Sequence, residues 1–236
     1  MPMPALLLSL ALLGQAPQTP VAPTPTQGPA ILRWTPKEGD EIKCRTVAEL
    51  TFQGNPATLT TVNFLKVIRV DPDGGYTVQS KATESKVQML GQEMQGNGLT
   101  TITDYYPTGE IKEIRGDRPE ETGYRMANLN SFHAPTKAVA VGDAWTSEGK
   151  ADAKNGSVGW KADYKVVGEE TIGPYSTLKI DVIARETEGA DAGKVTGSFW
   201  VARDGVVAKS ELNWSNVATP GAPAAVSGKV TLVRLP

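Results

Sequence analysis

The chain has 236 residues, of which 39% are hydrophobic and 21% charged, a composition typical of a globular protein that is large enough to bury a sizeable core. Its 24 basic and 26 acidic residues are spread without blocks and give a formal net charge of -2. Because no basic run stands out, the composition excludes the electrostatic footprint of a nucleic-acid-binding protein. It also gives no reason to expect binding to an anionic membrane surface.

The N-terminus begins with an apolar run from Ala5 to Leu13, which reads A-L-L-L-S-L-A-L-L. This length suits the hydrophobic region of a secretory signal peptide and is too short for a helix that crosses a bilayer. The small residues Gly14 and Ala16 favour cleavage there, so residues 1–16 are predicted to be a signal peptide, with an uncleaved anchor or a disordered apolar tail as the alternative. The mature chain is then expected to be periplasmic or secreted and to have no transmembrane span.

Residues 17–30 read P-Q-T-P-V-A-P-T-P-T-Q-G-P-A, in which proline recurs too often for regular backbone hydrogen bonding. We predict an extended, disordered linker there, followed by a single β-domain over residues 31–236. Cys44 is the only cysteine, so an internal disulfide is impossible and the domain depends on its hydrophobic core for stability. Cys44 alternates with polar neighbours and is expected to fill a gap in that core.

The chain from Glu41 to Arg115 alternates apolar and polar residues in segments separated by turn sequences, which predicts antiparallel strands. The clearest strand carries Val62, Phe64 and Ile68 on one side, which we take to be its inward, apolar side. Turns are predicted at residues 71–75, 96–98 and 107–109, where glycine, aspartate, asparagine and proline cluster.

A helical connector is predicted over residues 119–134. Pro119 and Glu120 suit a first helical turn, and Met126 and Leu129 lie three positions apart, on one face of a helix. Asparagine and serine are frequent in the second part of this segment, so the helix is expected to be short.

The second half of the chain, residues 136–236, again predicts strands. Trp160 and Tyr164 alternate with charged residues, and so do Leu178 and Ile180. Asp204-Gly205 is a strong signal for a hairpin turn. Each strand is expected to have one buried face and one solvated face.

The two halves share features at similar spacings. Gly39-Asp40 recurs as Gly142-Asp143, 103 positions later, and the hairpin at Gly109 recurs at Gly205, 96 positions later. We therefore predict an all-β, mainly antiparallel domain with one short helix: an open or half-closed β-barrel built from related halves, residues 31–118 and 136–236. Chance similarity between hairpins is the alternative.

Three segments carry a resemblance to known proteins: V-G-D-A-W (141–145), K-V-V-G-E-E-T-I-G-P-Y-S-T-L-K-I-D-V (165–182) and F-W-V-A-R-D-G-V-V-A-K-S-E-L (199–212). They resemble a recurrent pattern in uncharacterised secreted bacterial β-proteins, and the chain is similar in outline to the lipoprotein-carrier superfamily typified by LolA and LolB. The resemblance covers most of residues 31–236 and implies an open antiparallel barrel around a helical plug or lid. Its motifs start strands or turn hairpins and imply no catalytic residue, and a carrier would have more helix.

The sequence offers little for catalysis or metal binding. The single histidine, His133, lies in a loop beside proline and is expected at the surface or at the helix end. Neither a histidine-paired nucleophile nor an ordinary zinc site is therefore indicated. The segment from Asp71 begins like a calcium loop but has Ala82 where that loop needs glutamate. We predict a protein that is not an enzyme and that has no cofactor and no metal.

Two functions fit these observations. In the first, the concave face of the sheet binds an apolar or amphipathic ligand, such as a lipid, under the helix. In the second, the domain is a cell-envelope interaction module on a proline-rich stalk and binds another protein through a sheet edge. For each candidate lining residue the alternative is that it packs a closed core. The candidate ligand-lining residues are Val62, Phe64, Ile68, Met126, Leu129, Trp160, Tyr164, Leu178 and Ile180.

Overall fold

The computed structural model describes residues 28–52, 54–96, 98–116, 121–189, 191–220 and 222–236. The predicted signal peptide and the predicted linker up to residue 27 lie outside the described residues. So do residues 117–120, which contain the predicted start of the helical connector. The boundaries assigned to these segments stay predictions.

Twelve β-strands and one α-helix form from the described residues, and the short strand β4 is one that the alternating pattern did not predict. The strands are β1 (Glu41–Phe52), β2 (Asn55–Val70), β3 (Tyr76–Met89), β4 (Gln92–Gln95), β5 (Thr100–Tyr105), β6 (Ile111–Gly116), β7 (Ala144–Gly149), β8 (Trp160–Ile172), β9 (Tyr175–Glu186), β10 (Lys194–Ala202), β11 (Val207–Val217) and β12 (Val226–Arg234), and the helix α1 (Glu121–Asn130) lies between β6 and β7.

All twelve strands belong to one sheet, in which every pairing is antiparallel. Eleven strands lie side by side in the order β6-β5-β3-β2-β1-β12-β11-β10-β9-β8-β7, and β4 pairs with the far end of β3. Because this number is odd, the edge strands β6 and β7 run in the same direction and cannot pair antiparallel with each other. The sheet stays open between them, which confirms the predicted all-β, half-closed barrel with one short helix.

The two halves repeat one arrangement of strands. The first half contributes β1-β2-β3-β5-β6 and the second contributes β7-β8-β9-β10-β11 in the same order, while β12 joins β1 to β11. Two β-bulges recur at matching places: one follows Val67 in β2 and one follows Val166 in β8. A β-bulge adds one residue to a strand and reverses the facing of the residues after it, so its recurrence is a specific sign of related halves.

The Gly-Asp motif makes the same hydrogen bonds in both halves. Gly39 N donates to Val67 O at 2.9 Å, Val67 N donates to Asp40 O at 2.9 Å, and Lys37 N donates to the Asp40 carboxylate at 2.8 Å. In the second copy Gly142 N donates to Val166 O at 2.9 Å and Val166 N donates to Asp143 O at 2.9 Å. Ala140 N donates to the Asp143 carboxylate at 2.8 Å. The glycines have φ angles of 90° and 99°, which disfavour any residue with a Cβ. The sequence repeat therefore corresponds to a repeated turn.

Most of the hydrophobic core lies inside the second half. The larger cluster contains inward side chains of β8 to β11 together with Leu32 and Leu129. A smaller cluster in the first half consists of Val67, Tyr76 and Val78, with Trp34, Leu65 and Tyr105 packed against them. One continuous sheet thus encloses two separate apolar clusters.

Residues 30–34, which we call the N-terminal strap, lie across the sheet. Ala30 forms an antiparallel bridge with Val139, and the side chain of Leu32 is fully buried. The backbone on both sides of the Arg33–Trp34 peptide packs against Gly205 in the turn between β10 and β11. Ala30, which the sequence placed in the linker, is thus part of the folded domain.

Candidate apolar binding cavity

A cavity of about 290 Å³ lies where the two hydrophobic clusters meet. Its size is close to the lower end of the roughly 300–1,000 Å³ that small-molecule pockets occupy. It is partly open to solvent, and three parts of the chain line it: the N-terminal strap, the inner face of the sheet, and the residues at and just after the end of α1.

Aromatic side chains form one wall of the cavity. The rings of Tyr76 and Tyr105 are stacked, with centroids 5.1 Å apart, and the ring of Trp34 meets Tyr76 edge-on at 5.2 Å. Tyr76 and Tyr105 face each other because they are paired in the register of β3 and β5. Burial raises the pKa of both tyrosines, so both remain neutral phenols at physiological pH.

Aliphatic side chains and a thiol from β1, β2 and β12 form another wall. Ile42 is paired with Leu65 across β1 and β2, and cross-strand partners project from the same face of a sheet. Cys44 and Leu232 line the cavity as well. Burial raises the pKa of the Cys44 thiol to about 11, so it is a neutral, weakly reactive group at physiological pH.

Residues 130–133, the last residue of α1 and the three that follow it, form a segment that borders the cavity, and we call them the closing segment. Asn130, Ser131 and Phe132 line the cavity, and the ring of Phe132 packs at 5.8 Å from that of Phe199 in β10. Nδ2 of Asn130 donates to Met126 O at 2.7 Å, while its Oδ1 is buried and has no hydrogen-bond partner among the described residues.

Side chains of the second half hold this segment in place. Tyr164 donates its hydroxyl hydrogen to Ser131 O at 3.1 Å, and Trp145 Nε1 donates to His133 O at 3.0 Å. The rings of Trp145 and Tyr164 stack on each other with centroids 5.0 Å apart. The closing segment is therefore tied to the sheet by its backbone carbonyls as well as by packing.

The repeat explains why the open space lies on the side of the first half. Measured from the repeated bulge, Leu65 of β2 corresponds to Tyr164 of β8, 99 positions later. Tyr164 contacts Phe132 with ring centroids 5.8 Å apart, so the segment after α1 fills the second half at this position. Leu65 lines the cavity instead. Within the described part of the chain the helix and the segment after it occur once, and they fill one half more completely than the other.

The structure corrects the predicted facing of β2. Phe64 is paired with Lys43 and Val62 with Arg45, both of which are exposed, so the two apolar side chains project from the outer face. Ile68 is the extra residue of the bulge after Val67 and is 38% exposed. The three candidate residues on β2 therefore do not line the cavity, because the inward stripe of this strand includes Leu65 and Val67 instead.

The other six candidate residues face the interior but pack in the core. Trp160, Tyr164, Leu178 and Ile180 are buried in the larger cluster. None of the nine candidates lines the apolar cavity. Leu129 is buried in the same cluster, and Met126 packs against it. Trp34 and Phe132 had no signal in the alternating pattern, because they lie outside regular strands, whereas Tyr76 and Tyr105 belong to β3 and β5.

His133 is buried, contrary to its predicted position at the surface or helix end. It is 1% exposed, stacks on Trp160 with ring centroids 4.4 Å apart, and its Nε2 lies 3.2 Å from Asn128 O. Burial lowers its pKa to about 4, so the ring is neutral at physiological pH. Among the described residues no group of three or more His, Cys, Asp or Glu side chains is placed to hold a metal ion.

A scan against models of known protein families finds no match, and neither does a search of curated proteins. Solved structures give distant similarities. A Bacteroides fragilis protein provisionally described as exported, with a YmcC-like fold, is 12% identical, covers 87% of this chain and 97% of its own, and has a TM-score of 0.33. A protein of Parabacteroides distasonis provisionally described as a lipoprotein is 13% identical, covers 88% of this chain and 98% of its own, and has a TM-score of 0.35. DynF, from the dynemicin biosynthesis pathway of Micromonospora chersina, is 10% identical, covers 94% of this chain and 92% of its own, and has a TM-score of 0.22.

TM-scores this far below 0.5 carry no conclusion about function. In the part of the chain that the structure describes, no helix has the length and hydrophobicity needed to cross a membrane.

Proposed function

We propose that this protein is an exported, non-enzymatic β-protein that binds an apolar or amphipathic small molecule in the cavity between its two hydrophobic clusters. The observation that carries the proposal is the cavity itself, about 290 Å³ in volume and lined mainly by aromatic and aliphatic side chains. Protein interiors are close-packed and contain few voids larger than a water molecule. This space is partly open to solvent, and an apolar molecule that enters it buries apolar surface against these side chains.

Incomplete packing around the cavity lowers the stability of the fold, and this cost supports a functional role for the cavity. The side chains that line this partly open space have packing partners on one side only, so they forgo part of their van der Waals contacts. Larger side chains at positions such as Cys44 or Val78 would fill the space. A ligand would restore the missing contacts and stabilise the folded state.

Export and the lack of catalysis belong to the same proposal. The apolar run Ala5 to Leu13 and the proline-rich segment after it are typical of a secreted chain. The resemblance to lipoprotein carriers, taken from the sequence, agrees with an apolar cargo. Among the described residues that line the cavity there is one buried thiol with a raised pKa, at Cys44, and no carboxylate or imidazole that could act as a general acid or base.

Binding can be tested with N-phenyl-1-naphthylamine, a neutral apolar probe that fluoresces in apolar surroundings. The purified mature chain should bind it saturably, with about one site per molecule. Leu65→Trp places a larger ring in the cavity and should weaken binding by at least about tenfold, because the probe loses its space. The matched control is Phe64→Trp, on the outer face of the same strand, which should bind as the unmodified protein does.

Circular dichroism spectra and melting temperatures of both variants would show that they are folded. Equal loss of binding in the two variants, or the absence of saturable binding by the unmodified protein, would contradict the proposed function. If binding is confirmed, mass spectrometry of small molecules that co-purify with the protein from its native host would identify the natural ligand.

The open edge of the sheet favours a second candidate, an interaction module. On β6, Ile114 N already donates to the hydroxyl of Tyr124 in α1 at 2.8 Å, so the candidate edge is β7, where an extended peptide that runs opposite to the strand pairs antiparallel. The hydrogen bond from Val166 N to Asp143 O sets a register in which Thr146 directs its backbone N–H away from β8.

Thr146→Pro removes that outward donor while leaving the pairing with β8 intact. If a partner protein binds by strand addition, this variant should lose the partner and still bind the naphthylamine probe. Retention of every envelope partner by Thr146→Pro would exclude strand addition at β7.

A further inference from the structure

We infer that the ligand is a neutral amphiphile: a short apolar body that carries an uncharged, hydrogen-bonding head group. This inference rests on the proposed function of the cavity and names the chemical class that the cavity selects.

The first observation is the absence of charge on the wall. None of the 17 residues that line the cavity is Asp, Glu, Lys, Arg or His. The charged side chains of the same strands project from the outer face, where Lys66 Nζ lies 3.1 Å from Glu41 Oε1. A carboxylate or an ammonium group among these side chains would therefore lose hydration without gaining a counter-charge, which disfavours its binding.

The second observation is that the wall is not purely apolar. Ser210 of β11 is 4% exposed, and its polar side chain lines the cavity. On another side of the cavity Asn130 has a buried Oδ1 without a partner, and the orientation of its amide is fixed because only Nδ2 can donate to Met126 O. Buried polar groups normally have hydrogen-bond partners. A ligand hydroxyl or amide group supplies one, whereas a pure hydrocarbon does not.

The third observation is that the wall keeps its neutrality when the pH changes. The titratable groups that face the cavity are Cys44, Tyr76 and Tyr105. Burial raises the pKa of the thiol to about 11 and raises the pKa of both phenols. Between about pH 5 and pH 8, where these groups stay protonated, any change in affinity follows from the ionisation of the ligand rather than from the wall.

A matched series of ligands tests the inference on the unmodified protein. Decanol, decanoate, decylamine and decane have the same chain and differ in the head group. Each is titrated against bound N-phenyl-1-naphthylamine at about pH 7.5, where decanoate and decylamine are charged. Decanol should displace the probe, and the two charged ligands should require concentrations at least about 100-fold higher. Lowering the pH to about 5 should strengthen decanoate binding, because a larger fraction becomes neutral, and should leave decanol binding unchanged.

The outcomes separate this inference from the proposed function. If the probe and all four ligands fail to bind, the proposed function is wrong. If decanoate or decylamine binds as tightly as decanol at about pH 7.5, the cavity still binds apolar molecules, but the neutral head group is wrong.

Ser210→Ala tests the head-group contact. It should weaken decanol binding about fivefold, the effect of one neutral hydrogen bond, and leave decane binding unchanged. The control is Ser198→Ala, whose hydroxyl donates to Asp181 on the outer face at 2.7 Å and has no access to the cavity. Equal affinity of Ser210→Ala and the unmodified protein for decanol would overturn the assignment of a hydrogen-bonded head group at this residue.

Discussion

Arg125 of helix α1 and Glu186 of strand β9 form a two-pronged ion pair. Arg125 donates through Nε to one carboxylate oxygen at 2.6 Å and through a terminal nitrogen to the other at 2.7 Å. The Glu186 side chain is 2% exposed and also accepts a hydrogen bond from Gly193 N at 2.7 Å. Burial alone would raise the pKa of Glu186, but these hydrogen bonds and the charge of Arg125 outweigh burial and lower it. The pair thus ties the helix to the sheet.

Arg125→Ala should destabilise the fold by about 3 kcal/mol, because it leaves a buried carboxylate without its counter-charge. Urea unfolding at neutral pH measures the free energy of unfolding. The control is Arg185→Ala, which removes an exposed ion pair with Asp163 and should cost less than about 1 kcal/mol. Similar losses in the two variants would mean that burial of the Arg125–Glu186 pair has no energetic importance.

The same pair predicts a pH dependence. A carboxylate with a lowered pKa in the folded state contributes stability above its unfolded pKa, near 4.5, and that contribution disappears as the pH falls through the folded pKa. In Arg125→Ala the unpaired Glu186 is expected to take up a proton at a higher pH than in the unmodified protein. The difference in unfolding free energy between the two proteins should therefore narrow as the solution becomes acidic. A difference that stays constant down to about pH 3 would contradict this assignment.

Substitutions at Gly205 and Gly39 distinguish the energetic cost of displacing the strap from the cost of backbone strain. Both have positive φ angles, 83° and 90°, but an added Cβ meets the backbone of Arg33 and Trp34 at Gly205 and nothing within 4 Å at Gly39. Gly39→Ala should cost about 1 kcal/mol from backbone conformation alone. Gly205→Ala should cost at least about 2 kcal/mol more, because the strap must also move. Thermal or urea unfolding of both variants measures the difference, and equal losses would show that the strap does not press on this turn.

The alternating pattern predicts most of the strands but misses β4, and it leaves the facing of β2 ambiguous. Both of its faces carry apolar residues, Val62 and Phe64 on one and Leu65 and Val67 on the other. The β1–β2 register resolves the ambiguity, since Phe52 pairs with Asn55 and this pairing places Leu65 opposite Ile42. A hairpin prediction between these two strands would have given the correct face. The bulge that turns Ile68 outward has no comparable signal in the sequence.

The second half was easier to predict because its outer faces are charged. Lys161 and Asp163 alternate with Trp160 and Tyr164, so only one face can be inward.

The cavity could not be predicted from the sequence. It depends on a strap and a helix end that cross the sheet, and the packing of non-periodic segments has no repeating pattern to read.

Cys44 should report on access to the cavity. Its thiol is buried and neutral, so it should react with a small apolar maleimide far more slowly than the same cysteine in urea-unfolded protein. Saturating the cavity with N-phenyl-1-naphthylamine should slow the reaction of the folded protein further, because Cys44 lines the same space. The rate is measured by mass spectrometry of the intact chain. A labelling rate that the probe leaves unchanged would place the probe somewhere else.

Trp160 and Lys161 are neighbours with opposite environments, which makes them a matched pair for testing the faces of β8. Trp160 is 6% exposed and supports the buried ring of His133, whereas Lys161 lies on the outer face. Trp160→Asp removes a large core side chain and buries a carboxylate, so a loss above about 4 kcal/mol and an unfolded or aggregated product are expected. Lys161→Asp should change the unfolding free energy by less than about 1 kcal/mol. Equal midpoints of thermal unfolding for the two variants would contradict the assignment of inner and outer faces in the second half.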